Sequence, residues 1–178
     1  MTTGDSPAPD DAGHGANLGD LVRTVVDENF YMVLGTADAV GRPWVSPVFY
    51  AADGHRDFYW ISSPEVTHSR NVAMRPDVSI VVFDPRAPVG SGGARAAYMT
   101  ATAAEVPADE LDQAVTVYQA FAERGGRELS PTDLRPPAPY RLYRATVTEH
   151  SVVCPRAAGT PCSAHGLAYD HRTLVHVP

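Results

Sequence analysis

Cysteine is nearly absent: Cys154 and Cys162 are the only two in 178 residues. Two thiols cannot build a disulfide scaffold, and the chain reads as cytoplasmic with both reduced. Positive charge is scarce as well, with 14 basic against 21 acidic side chains and a formal charge of −7. A nucleic-acid binder needs clustered basic groups to neutralise phosphates, so that class is excluded. No apolar run approaches a membrane span. The first residues, MTTGDSPAPDDAGHGAN, carry acids where a secretory signal has a basic and then an apolar stretch, and threonine at position 2 breaks the myristoylation pattern. There is no G-x-G-x-x-G, no P-loop and no G-x-S-x-G elbow, and GSGG (90–93) reads as a loop.

What is present is enough for one domain with a core: 44% hydrophobic residues over a length that suits a single barrel. Residues 1–16 read as a disordered leader, 17–153 as the folded domain, and 154–178 as a tail packing on it. Asn17 is the expected N-cap of a first helix ending near Glu28, whose stripe is Leu18, Leu21, Val22, Val25 and Val26. Strands are expected at 30–38, at 43–50 as an edge or a bulge because of its two prolines, at 57–62 after an Asp-Gly turn, at 78–84 buried on both faces, at 96–106 and at 140–153, with a last short one at 173–177. A short helix is expected after Ser63 as N-cap and Pro64, stopped by Pro76. A longer amphipathic one is expected over 109–124, with Gly125 at its C-cap. Hairpins dominate and βαβ units are scarce, which predicts a mostly β (α+β) fold, an antiparallel barrel with peripheral helices.

The densest chemistry lies in YWISSPEVTHSRN, residues 59–71. Two hydroxyls, Ser62 and Ser63, end a strand at a helix start, where free N–H groups favour an anion. His68, Ser69, Arg70 and Asn71 add donors within two turns, and the arginine fork suits phosphate oxygens. Two readings stay open: a cradle for a terminal phosphate, or a plain Ser63 cap with His68 and Arg70 facing solvent.

The run GRPWVSPVFYAADGHRDFYWISSPEVTHSRNVAMRPDVSIVVFD resembles the pyridoxamine 5′-phosphate oxidase-like, flavin-binding split-barrel superfamily, and the likeness extends over about residues 18–150. The resemblance implies a split β-barrel and a homodimer with FMN, or in some branches a deazaflavin, at the subunit interface. It places Ser62 and Ser63 on the cofactor phosphate, with Arg70 and Asn71 at the helix's basic and amide positions. Val45, Ser46 and Pro47 would line the flavin ring, with Trp60 and Ile61 on the neighbouring strand. The family's phosphate lysine falls on His68, so the charge would come from imidazolium, from Arg70 or from both. The C-terminal Arg-x-His substrate motif of true pyridoxamine phosphate oxidases is missing, so vitamin B6 oxidation is not expected as the main reaction. The reading is an FMN-binding oxidoreductase acting on a small molecule. Its alternatives are a deazaflavin-dependent reductase, which would need a basic groove from Arg75, Arg86 and Arg95, or a non-catalytic flavin- or haem-binding module with His68, His150 or His165 as axial ligand.

No acid or base stands out, as suits cofactor-borne chemistry. Tyr98 and Tyr143 are candidate substrate contacts, Tyr118 reads as core, and Trp44 and Trp60 suit either stacking or barrel filling. The tail's C-x7-C-x2-H-x5-H, formed by Cys154, Cys162, His165 and His171, has zinc-type ligands in a spacing that fits no usual structural pattern. The expectation is therefore ordinary thiols, solvent-facing histidines and no metal.

Overall fold

The computed structural model describes residues 11–86, 95–120, 128–156 and 159–177. The expected loop around GSGG, the Gly125 C-cap and the end of the 109–124 helix lie outside them, wholly or in part.

The valine and leucine stripe turns one face of α1 (Asp11–Glu28) onto the sheet, with Leu18, Val22, Val25 and Val26 buried. Each such side chain taken from water contributes about 1.5–3 kcal/mol. The Tyr50 hydroxyl fixes the helix further, donating to the Val26 carbonyl at 2.6 Å. α1 begins at Asp11 rather than Asn17, so Asn17 lies inside the helix and does not cap it.

The strands are β1 (Tyr31–Ala37), β2 (Pro43–Phe49), β3 (Ala51–Asp53), β4 (Asp57–Ser62), β5 (Asp77–Phe83), β6 (Ala96–Glu105), β7 (Arg141–Val153) and β8 (Arg172–Val175). They form one sheet in the order β2-β1-β5-β6-β7-β4-β3, and β8 also pairs with β7. Every pairing is antiparallel. This is the split half-barrel, with β2 at an edge as its prolines require. Asp53 opens the β3–β4 turn, whose central residues Gly54 and His55 both have φ near 56°. Paired positive φ values match the strand twist of a tight hairpin. The long β7 lies along β6 on one side. On the other it meets β4 through Arg141–Thr146 and then β8 through His150–Val153.

β5 differs from expectation. Its buried Val78, Ile80 and Val82 alternate with exposed or half-buried Asp77, Ser79, Val81 and Phe83, so only one face is buried. The outer face of β5 is uncovered among the described residues, and the continuous apolar run came from Val81 and Phe83 on that face.

Trp60, Tyr50, Phe58, Met32, Leu34 and Ile80 are the largest fully buried side chains and fill the barrel. α3 (Leu111–Ala120) builds a smaller cluster with Tyr59, Val106, Leu134 and Leu142. Tyr118 is only half-buried there, its ring edge-on to Phe49 at 6.3 Å. No helix among the described residues is long and apolar enough to cross a membrane.

Candidate functional site

α2 (Thr67–Met74) starts later than the Ser-Pro signature suggested. Val66 is its N-cap and offers no side-chain bond. Ser63 caps a turn instead: its hydroxyl accepts from the Glu65 N–H at 3.2 Å and its carbonyl from the Val66 N–H at 3.3 Å. The two serines therefore sit at a strand end one turn ahead of the helix, and the helix N-terminus is displaced from the place assigned to it.

The fold nonetheless brings three expected residues together. His68 Nε2 lies 2.7 Å from Ser62 Oγ, and His68 Nδ1 lies 3.0 Å from Ser46 Oγ. The Trp44 indole N–H donates to the same Ser46 oxygen at 3.0 Å. One imidazole thus ties β2 to β4 through α2. A turn further along, Asn71 donates to Thr36 Oγ1 at 3.0 Å, and Thr36 donates to the Trp44 carbonyl at 3.3 Å. Thr36 was missed from sequence, although the alternation Met32, Leu34, Thr36 marks it as an inward polar group that needs a partner.

The site has little charge. Burial pushes the His68 pKa below its ordinary 6.5, so the imidazole is neutral at pH 7. Arg70 is exposed and turns back to donate to the Glu65 carbonyl. The Arg75 guanidinium lies over the β1–β2 turn, where a side chain at Gly41 would meet it at 3.3 Å. The chain has no lysine at all. Any phosphate held at Ser62, Ser63 and His68 would therefore be met by neutral donors.

The other expected residues separate. Trp60 is fully buried and stacks on Tyr143 with centroids 5.5 Å apart, as core rather than cofactor wall. Its Nε1 has no hydrogen-bond partner among the described residues, and the buried Ser69 hydroxyl lies beside Tyr143. Tyr143 is buried too, and burial raises its pKa. Ile61 is half-buried and packs toward the α3 cluster. Val45 and Pro47 are exposed. They stand on the outer face of β2, whose second edge has no strand partner among the described residues, so its backbone N–H and C=O groups face outward. Beside them a groove of about 770 Å³ runs over Gly35, Trp44, Val45, Ser79 and Thr100. Tyr98 lies further along that sheet face, under the Arg172 guanidinium, 4.0 Å from the ring centre.

The bare edge of β2, the groove along its outer face and the hydroxyl–imidazole relay on its other face are the features from which a ligand has to be argued. Residues 18–154 match the family described as pyridoxamine 5′-phosphate oxidase. The chain belongs to that family. No curated protein matches the chain significantly. Among solved structures, the heme binding protein from Mycobacterium smegmatis aligns at 20% identity with a TM-score of 0.61, covering 88% of this chain and 57% of that one. The chain thus spans little more than half of that relative. The heme storage protein HutZ from Vibrio cholerae aligns at 24% identity and TM-score 0.58, over 71% of this chain and 87% of that one. An F420 reductase aligns at 20% identity and TM-score 0.50, over 68% and 88%. At these identities the likeness is one of fold. The names of these neighbours point to different ligands, heme and F420, so the cofactor has to be argued from this chain's own residues.

Proposed function

We propose that this protein is a homodimeric FMN-binding oxidoreductase acting on a small molecule. The observation that carries the reading is the Ser46–His68–Ser62 relay, set beside the edge of β2 that has no strand partner among the described residues. The donor set fits FMN: Ser62 and Ser63 supply hydroxyls for its phosphate, and the relay fixes their approach through a neutral imidazole. The backbone of Val45–Pro47 offers polar edge groups to the ring, and Trp44 flanks it. Bound flavin supplies the electron or hydride transfer. The chain's part is to hold the ring flat, orient it and keep water from it. A second copy, lying over the exposed Trp44 and Val45, would close the open side.

The rival cofactors meet specific obstacles. A deazaflavin with an acidic tail needs a basic groove, yet Arg86 is drawn to Asp84 at 3.0 Å and Glu28 at 3.9 Å. A haem needs an axial ligand, yet both nitrogens of His68 are engaged and His150 Nε2 is 2.8 Å from the His55 carbonyl, to which it donates. The test is a visible absorption titration of the purified full chain with FMN, F420 and haemin in parallel. Saturable FMN binding with a sharpened two-band flavin spectrum supports the proposal. Saturation by F420 or haemin, with no response to FMN, overturns it.

A further inference from the structure

Outside that site the fold gathers four side chains that chain spacing alone does not join. Cys154 follows β7 directly, His171 precedes β8 directly, and Cys162 and His165 lie in the connection between them. Their ligand atoms all lie within 4.8 Å of one another. His165 Nδ1 is 3.5 Å from Cys154 Sγ, 3.6 Å from Cys162 Sγ and 3.1 Å from His171 Nε2. Cys162 Sγ is 3.6 Å from His171 Nε2. The geometry points to a four-coordinate zinc site of two thiolates and two imidazoles, all four ligands supplied by this chain.

The distances are those of a coordination polyhedron. With Zn–S near 2.3 Å and Zn–N about 2.0–2.1 Å at tetrahedral angles, the sulfur–nitrogen edges come to about 3.6 Å and the nitrogen–nitrogen edge to about 3.3 Å. A metal-free hydrogen-bond cluster explains them poorly. His165 Nδ1 has either one proton or one lone pair, yet three partners converge on it. The surroundings also orient the ligands. His171 Nδ1 lies 3.0 Å from the Tyr169 carbonyl, so it carries the proton and leaves the Nε2 lone pair facing the cluster. The His165 backbone N–H donates to Cys162 Sγ at 3.2 Å, and Gly166, at φ 67°, closes the Cys162–His165 turn with its N–H on the Cys162 carbonyl at 2.9 Å. Both sulfurs are buried, and two thiolates cancel the charge of one divalent ion. Soft sulfur with imidazole in this geometry selects zinc over magnesium, calcium or manganese.

Such an ion would staple the connection from Cys154 to His171, and with it β8 against β7. Its role is structural, since no ligand position is left for water or substrate. The test uses the full chain purified with a reductant and without chelator. Elemental analysis should find about one zinc per chain. After the zinc is stripped, Co²⁺ should restore a thiolate-to-cobalt charge-transfer band and the intense visible bands of a tetrahedral centre. Cys162→Ser should abolish the stoichiometric zinc. Should that variant fail to fold, the cobalt spectrum of the unaltered chain still decides. Sub-stoichiometric metal together with an octahedral cobalt spectrum overturns the site, as does a Cys154–Cys162 disulfide found by mass spectrometry in the freshly purified protein.

Discussion

His68 Nε2 lies 2.7 Å from Ser62 Oγ, and this contact joins the last residue of β4 to the first turn of α2. Because the other ring nitrogen reaches Ser46 on β2, the imidazole is a cross-brace over the barrel mouth. Its neutrality is built into that position, since burial disfavours the charged imidazole.

A pH dependence follows. The folded pKa of His68 is lowered from 6.5, so between the two values the unfolded chain binds a proton that the folded chain refuses. This contribution to stability is complete above about pH 6.5, falls as the pH drops below it, and levels off past the folded pKa. His150, lowered first by burial, acts in the same sense. Urea midpoints near pH 7.5 and near pH 5.5 should show the loss. His68→Gln should cost about 1–2 kcal/mol at the higher pH through the broken brace, and should lose less on acidification. Equal losses in both proteins would remove His68 from the titration.

Ser62 and Arg70 should part company in ligand binding. Ser62 is fixed by the relay, while Arg70 is exposed and occupied with the Glu65 carbonyl. Ser62→Ala should weaken FMN by about 1 kcal/mol, a factor of about five. Arg70→Ala should change the dissociation constant by less than about twofold. Fluorescence titration of the flavin checks both. A large loss on Arg70→Ala alone would show that the guanidinium swings in to the phosphate.

The sequence revealed unequal parts of this. The α1 stripe, the proline-marked edge at β2 and the Asp-Gly hairpin were legible because each is a local rule: helical period, missing N–H donors and positive φ. Ser63-Pro64 misled because a serine hydroxyl caps a turn as well as a helix, and here Glu65 takes it. β5 misled because apolar side chains on an uncovered sheet face look like core when read along the chain. The relay residues were all named, but their connection was hidden, since Ser46 meets His68 only after β2 folds across α2. The cysteine–histidine cluster was hidden for the same reason, its geometry being fixed by the pairing of β7 with β8.

The exposed edge of β2 supports a prediction on assembly. Trp44 and Val45 are 48% and 62% exposed on a strand whose second edge has no strand partner among the described residues, a surface that aggregates unless it is covered. If a second copy covers it, Val45→Asp buries an unpaired charge at the contact and should shift the protein to monomer at micromolar concentration. Sedimentation velocity of both forms checks this, with circular dichroism confirming that the variant is folded. A variant that stays dimeric would place the interface elsewhere, with α3 the next face to test.

Gly19 sets two rules against each other. In an exposed helix, Gly→Ala stabilises by about 1 kcal/mol. Here a Cβ would sit 2.9 Å from the His176 carbonyl oxygen, with Val175 3.9 Å away. The clash is with backbone just past β8, so no rotamer relieves it, and α1 or the C-terminal strand has to shift. Val175 belongs to the main core and anchors β8 there, so the shift reaches buried contacts. The steric term should win, and Gly19→Ala should destabilise by about 1–3 kcal/mol. Hydrogen exchange distinguishes the two ways of yielding. Faster exchange confined to Arg172–Val175 and its β7 partners His150–Val153 would mean that β8 gives way, whereas faster exchange along Asp11–Glu28 would mean that the helix lifts. A gain in stability would show instead that His176 has room to move.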